Sequence, residues 1–221
     1  MNIFALSKCP VESAQQMLDK HVVKMPTETC QMLHTNMLFT MFKGIYGFEP
    51  SLKELKQFHT QTNSNLMKPA MLNHPSTIWA RQSLHNTKWL YEHGLALCKE
   101  YTYRYGKTHG SEKRILDMNI NLRNAFSDKA SPVTIAMDNK YRIERDFEMT
   151  FADQNWYDER EWEFVILSYR HYYLEGKWRF AEWRKDRRPD WFPANQYEIK
   201  YNEWALAFNK QYHANIQLKE E

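Results

Sequence analysis

Apolar residues at Val11, Ala14, Met17, Leu18, Met25, Met32 and Leu33 recur at spacings of three, four and seven, which predicts an amphipathic helix over residues 10–42. Ser7 or Cys9 stands near its cap, and Pro10 falls close to a first-turn position. A second, polar stripe runs through His21, Lys24, Glu28 and Gln31, spaced three, four and three, so these side chains share one helix face. Pro26 sits inside the run and predicts a kink just ahead of Glu28. Before the helix, Asn2-Ile3-Phe4-Ala5-Leu6 is short and apolar, which predicts a segment tucked against the body that holds the α-amino group in a defined place.

Downstream, glycines and a proline make 43–50 a loop, and Ser51-Leu52-Lys53-Glu54 is a capping box opening a short helix to about residue 59. Residues 60–75 read as a long irregular connection, ending in Asn73-His74-Pro75. Ser76 or Thr77 can cap a long helix to about Arg104, with Gly106 as its stop. A further helix is predicted over 111–124, and a loop over 127–139. The alternation of Tyr141, Ile143, Arg145, Phe147, Met149 and Phe151 allows a small β-hairpin over 141–151. Helices follow over 158–175, 177–185 after a break at Gly176, and 195–212 as a C-terminal extension from about 194. The fold expected is all-α, a compact helical bundle in a single domain over residues 1–221.

Composition narrows the function classes. A chain of 221 residues with 43% hydrophobic content supports one sizeable core. A net charge of +3 excludes a blanket polyanion-binding surface, so any nucleic-acid contact must be a local patch. Three cysteines without paired or metal-ligand spacing suit a reducing, intracellular compartment, and no apolar run approaches the about 20 residues that a membrane span needs. The expectation is a cytoplasmic monomer with no membrane partner.

The chemistry is sparse. Nine histidines lack His-x3-His or Glu-x-x-His spacing, so no metal and no cofactor is expected. Six glycines form no Gly-x-Gly or Walker arrangement, and no Gly-x-Ser-x-Gly elbow occurs. Two groupings remain. Glu28 beside His21 and Lys24 has the make-up of an acid/base site, or of a solvated face with an ordinary Lys–Glu pair. Tyr169-Arg170-His171-Tyr172-Tyr173 through Lys177-Trp178-Arg179-Phe180 interleaves rings with cations, as base-stacking surfaces do and as core aromatics also do.

Taken in order, Asp19-Lys20-His21 with Glu28 seven residues after the histidine, the helix introduced by His74-Pro75, and Tyr169-Arg170-His171-Tyr172-Tyr173 with Gly176-Lys177 resemble the bacteriophage pyrimidine-dimer DNA glycosylases of the endonuclease V type. The resemblance implies a compact all-α enzyme that removes a base from damaged duplex DNA and then cuts at the abasic sugar, acting in an infected bacterial host. In that family the chain's α-amine attacks the sugar C1′ and a glutamate stabilises the cationic sugar. An α-amine has a reference pKa of about 7.7–8.0 against about 10.4 for lysine, which leaves a useful neutral fraction near neutral pH.

Carried over by position, Glu28 is the carboxylate, His21 its neighbour, and the amine belongs to Met1, or to Asn2 after initiator removal. Lys24 is the alternative imine-forming nucleophile. Where the family has a small threonine and then a basic residue at its start, this chain has Met1-Asn2-Ile3, and Thr27 and Gln31 stand where the family has arginines. Lys20 and Lys24 can compensate. His74, Arg81, Arg104, Lys107 and His109 are expected around the pocket, with Tyr172, Tyr173 and Lys177 as substrate contacts. Two alternatives share the scaffold: an N-glycosidic enzyme for a free nucleotide or modified base, and a non-catalytic module that binds nucleic acid or a host protein.

Overall fold

The computed structural model describes residues 1–118, 130–145 and 154–219. Its α-helices are α1 Pro10–Gln15, α2 Asp19–Tyr46, α3 Leu52–Gln61, α4 Pro75–Gln82, α5 Leu84–Tyr105, α6 Glu112–Leu116, α7 Gln154–Tyr172 and α8 Ala194–Tyr212. No strand occurs among the described residues, and the fold is all-α. Asn139–Tyr141 forms a 3-10 turn where the hairpin was expected to begin, and 146–151 of that expectation lie outside the described residues. The helix expected over 111–124 is described only to residue 118, with α6 covering its start. No helix among the described residues is long and apolar enough to cross a membrane.

Helix α5 lies against α1 and α2, and α2 is flanked further by α3, α4 and α6. A contiguous set of buried apolar side chains extends from Ile3 through Trp79, Leu97 and Tyr169 to Tyr197. A smaller one, Leu38, Phe39, Phe42, Leu55, Phe58 and Leu72, joins the end of α2 to α3. The amino-terminal segment is tucked in as expected. Ile3 to Leu6 are buried, Leu6 N–H donates to Ser13 Oγ, and Ser13 Oγ–H donates to the Phe4 carbonyl. Gly94 lets α2 approach α5 closely, since a Cβ there would stand 2.7 Å from Thr29 Cγ2.

Two predicted helices are each divided in two. The first breaks at residues 16–18, where Leu18 is extended. The carbonyls freed there have tertiary partners: Arg104 Nη2 donates to Gln15 O, Trp183 Nε1 to Gln16 O, and Arg104 Nη1 to Met17 O. The second breaks at Ser83, whose side chain caps α5 by accepting from Asn86 N–H. Asn86 Nδ2 and Thr87 Oγ1 then donate to the carbonyls of Trp79 and Ala80. Side chains thus take up carbonyls that each break frees, which an apolar periodicity cannot signal. The helix expected over 177–185 is also replaced: α7 continues into a π-turn at Tyr173–Lys177 and a 3-10 turn at Trp178–Phe180.

Candidate active site

Helix α2 runs through Pro26, which offers no N–H to the preceding turn. His109 Nε2 lies 3.2 Å from the Val23 carbonyl on that turn, and its Nδ1 accepts from Ser111 N–H, so Nε2 is the nitrogen that donates toward Val23. Two residues after the proline, Glu28 points its carboxylate at the amino end of the chain. Glu28 Oε2 is 3.1 Å from the Asn2 backbone nitrogen and 3.8 Å from the Met1 α-amine, and Oε1 is 3.0 Å from Lys24 Nζ. The Glu28 side chain is 17% exposed and that of Lys24 69%, so the carboxylate is largely covered while the lysine head is in water.

The amino end is held by its second side chain. Asn2 Oδ1 accepts from Ile3 N–H and, at 2.9 Å, from the Tyr169 hydroxyl, while Asn2 Nδ2 donates to Ala136 O at 3.0 Å. The Tyr169 oxygen in turn accepts from Ala136 N–H at 3.2 Å. Complete burial pushes the Tyr169 hydroxyl well above the ordinary phenol range, so it remains a donor. Neither Tyr169 nor Ala136 was singled out for this purpose in the sequence. Tyr169 belongs to the aromatic run that the sequence left open as a stacking surface or as core, and the 130–138 segment has no periodicity to mark it.

His21 is turned inward. Its ring stacks on Phe4 at 4.1 Å, and Nδ1 lies 2.6 Å from the Tyr173 hydroxyl, itself buried and held protonated. Burial, then the charges of Lys177 and Lys24, push His21 down from 6.5 to about 3, and burial pushes His93 down to about 4. Both are neutral in the fold but take up protons below 6.5 once unfolded. Their contribution to stability is therefore complete above pH 6.5 and is lost as pH falls toward those lower values. At pH 5 each is expected to cost about 2 kcal/mol. Urea unfolding at pH 7 and pH 5 should show that loss, and His93→Gln should remove its share of the difference.

The remaining predicted residues divide by placement. His74 caps α4, its Nδ1 accepting from Ser76 N–H at 3.2 Å, so the neutral ring carries its proton on Nε2. Burial and the charge of the amino terminus hold His74 below its usual range, while Glu28 pulls the other way, so His74 lies within electrostatic reach of both. Next to His21 lies an aromatic and basic group: Phe4, stacked on His21, also stacks on Tyr172, which packs on Tyr141, Lys177 Nζ is 4.6 Å from the Tyr172 ring centre, and Lys20 Nζ is 4.8 Å from that of Phe180. Gly176 makes room for it, since a Cβ there would stand 2.5 Å from Tyr172 Cε2.

Arg104, Arg81 and Tyr173 are placed inside instead. The fully buried Arg104 binds Glu100, Asp19 and two main-chain carbonyls, because the break before α2 needs its donors. Arg81 donates to Leu72 O at 2.7 Å and packs over Phe39, tying the loop before α4 to the smaller core. Tyr173 is the partner of His21 rather than a surface ring. Lys107 is exposed in the turn after α5. Among the described residues, no three His, Cys, Asp or Glu side chains gather in a way that could hold a metal ion.

A largely covered carboxylate set against an α-amine, with an imidazole within electrostatic reach, makes a set suited to nucleophilic attack on an electrophilic carbon. A family model described as pyrimidine dimer DNA glycosylase matches residues 1–113, a span that holds Met1, Asn2, Lys24, Glu28 and His74. Neither the curated proteins nor the solved structures provide a match.

Proposed function

The chain belongs to the pyrimidine dimer DNA glycosylase family, and on that premise we propose that it releases a damaged or modified base from duplex DNA through an imine formed on its own α-amine. The observation that carries the reading is the approach of Glu28 Oε2 to the amino end, 3.8 Å from Met1 N and 3.1 Å from Asn2 N. The amine lone pair forms a bond to C1′ as the glycosidic bond breaks, its electron pair leaving with the base, which takes a proton from solvent. The attacking nitrogen then loses a proton and the sugar ring opens to the imine. Removal of a C2′ proton expels the 3′ phosphate, which completes the lyase step.

Glu28 supports each stage by facing the positive charge that grows on the sugar and the nitrogen. His74 carries its proton on Nε2, from which the neutral ring can hydrogen-bond the departing base without giving that proton up. Preorganisation favours the α-amine over Lys24: Asn2 is fixed by hydrogen bonds on both sides, whereas Lys24 is mostly in solvent. Loss of Met1 would make the Asn2 nitrogen the amine, already within hydrogen-bond reach of Glu28.

Borohydride trapping on an abasic-site duplex, followed by mass spectrometry of the cross-linked peptide, tests the reading. An adduct on the amino-terminal peptide supports it. An adduct on the peptide bearing Lys24 transfers the nucleophile to that side chain. Absence of adduct and incision on both abasic and dimer-containing duplexes overturns the imine route.

A further inference from the structure

We infer that the face of α3 carrying Lys53 and Lys56, together with Lys68, is the track along which one DNA strand leaves the active site, its phosphates meeting these three ammonium groups. The inference rests on the DNA glycosylase reading and extends it to a surface about which the chemistry of Glu28 says nothing. Lys53, Lys56 and Lys68 line one open depression of about 720 Å³ with Gln57, Thr60 and Gln61. No carboxylate lines it. Glu54, the one acid on α3, is engaged at the opposite end of its turn by the Ser51 backbone and hydroxyl.

All three lysines are exposed, and none is ion-paired within the described residues, whereas Lys8, Lys43, Lys113 and Lys200 each hold a carboxylate. Three cations with amide and hydroxyl donors between them suit a row of anionic oxygens, and duplex DNA offers one charge per about 3.4 Å along each strand. No aromatic ring lines the depression, unlike the surface around Tyr172 and Tyr141, so it is suited to backbone rather than to bases.

The depression is also joined to the site. Gln31 stands one turn beyond Glu28 on α2, about 4.5 Å further along the axis, and its side-chain amide donates to Lys68 O. One turn further, His34 Nδ1 accepts from Met67 N–H at 2.8 Å. The loop bearing Lys68 is thus pinned to the helix that carries the carboxylate, and it ends at His74. A strand whose sugar lies over Glu28 meets Lys68 next, then Lys56 and Lys53.

The test uses the full chain with Lys53→Gln, Lys56→Gln and Lys68→Gln together, on abasic duplexes long enough to extend past the cleft on both flanks. Removing three phosphate contacts should reduce the slope of log affinity against log salt by about 2.7. Affinity at low salt should fall by at least about tenfold, with the borohydride-trapping rate at saturating duplex and the thermal midpoint unchanged. Trimming one flank of the duplex should erase the difference from wild type, and trimming the other should not. An unchanged salt slope, or a difference that survives both trims, overturns the track while leaving the glycosylase reading intact. A wild-type chain that forms no adduct with any abasic duplex takes both down.

Discussion

Glu28→Gln is expected to lower the rate of incision on an abasic or dimer-containing duplex by about 10²- to 10³-fold while leaving DNA affinity within a few-fold. That is the usual consequence of removing one preorganised electrostatic group from a transition state. The substitution isolates charge from shape. The glutamine amide oxygen can still accept from Asn2 N–H, so the amino end keeps its anchor, but the Met1 amine and Lys24 lose the negative charge between them. Single-turnover incision and fluorescence anisotropy, measured on the same duplex, separate the two effects. Full incision by the variant would remove Glu28 from the chemistry. A wild type that binds but never incises would point instead to a non-catalytic module on this scaffold.

Arg104→Met is expected to destabilise the fold by about 3 kcal/mol or more, the cost of leaving buried carboxylates without their central cation. Arg104 Nε lies 2.8 Å from Glu100 Oε1 and Nη1 2.9 Å from Asp19 Oδ1, and the Arg104 and Glu100 side chains are almost wholly enclosed. The substitution also strips the Gln15 and Met17 carbonyls of their donor. Arg187 and Arg184 remain near Glu100 and Asp19, which keeps the loss toward the lower end of what a broken buried pair costs. A lysine should rescue little, since one ammonium cannot serve four acceptors arranged around a planar fork. Urea midpoints of the variants against wild type check this, and an unchanged midpoint would mean that the network adds nothing to stability.

What could be read from the sequence was what is decided locally. The Ser51–Glu54 box, the stop at Gly106 with its φ of +65°, and the last helix appear close to where the residues predict them. The face shared by Lys24 and Glu28 follows from helical spacing alone. The breaks at 16–18 and at Ser83 were illegible for the opposite reason. Met17 and Leu18 keep the apolar rhythm intact, and the hydrogen bonds that permit the break come from Arg104 and Trp183, far along the chain.

The same division runs through the site. Spacing brought Glu28 and Lys24 together, and the family resemblance added the amino end and His74. Nothing local pointed to the hold on Asn2, whose partners stand 134 and 167 positions away. Arginines suggest surface grips by their chemistry, and only packing reveals that Arg81 and Arg104 are used inside.

The tie between Asn2 and Tyr169 sets an order of events during synthesis. The Asn2 side chain cannot find its place until the hydroxyl that fixes it, 167 positions later, has been made. A growing polypeptide therefore cannot yet hold Asn2 squarely beside Glu28, and translation must deliver α7 before that contact is secured.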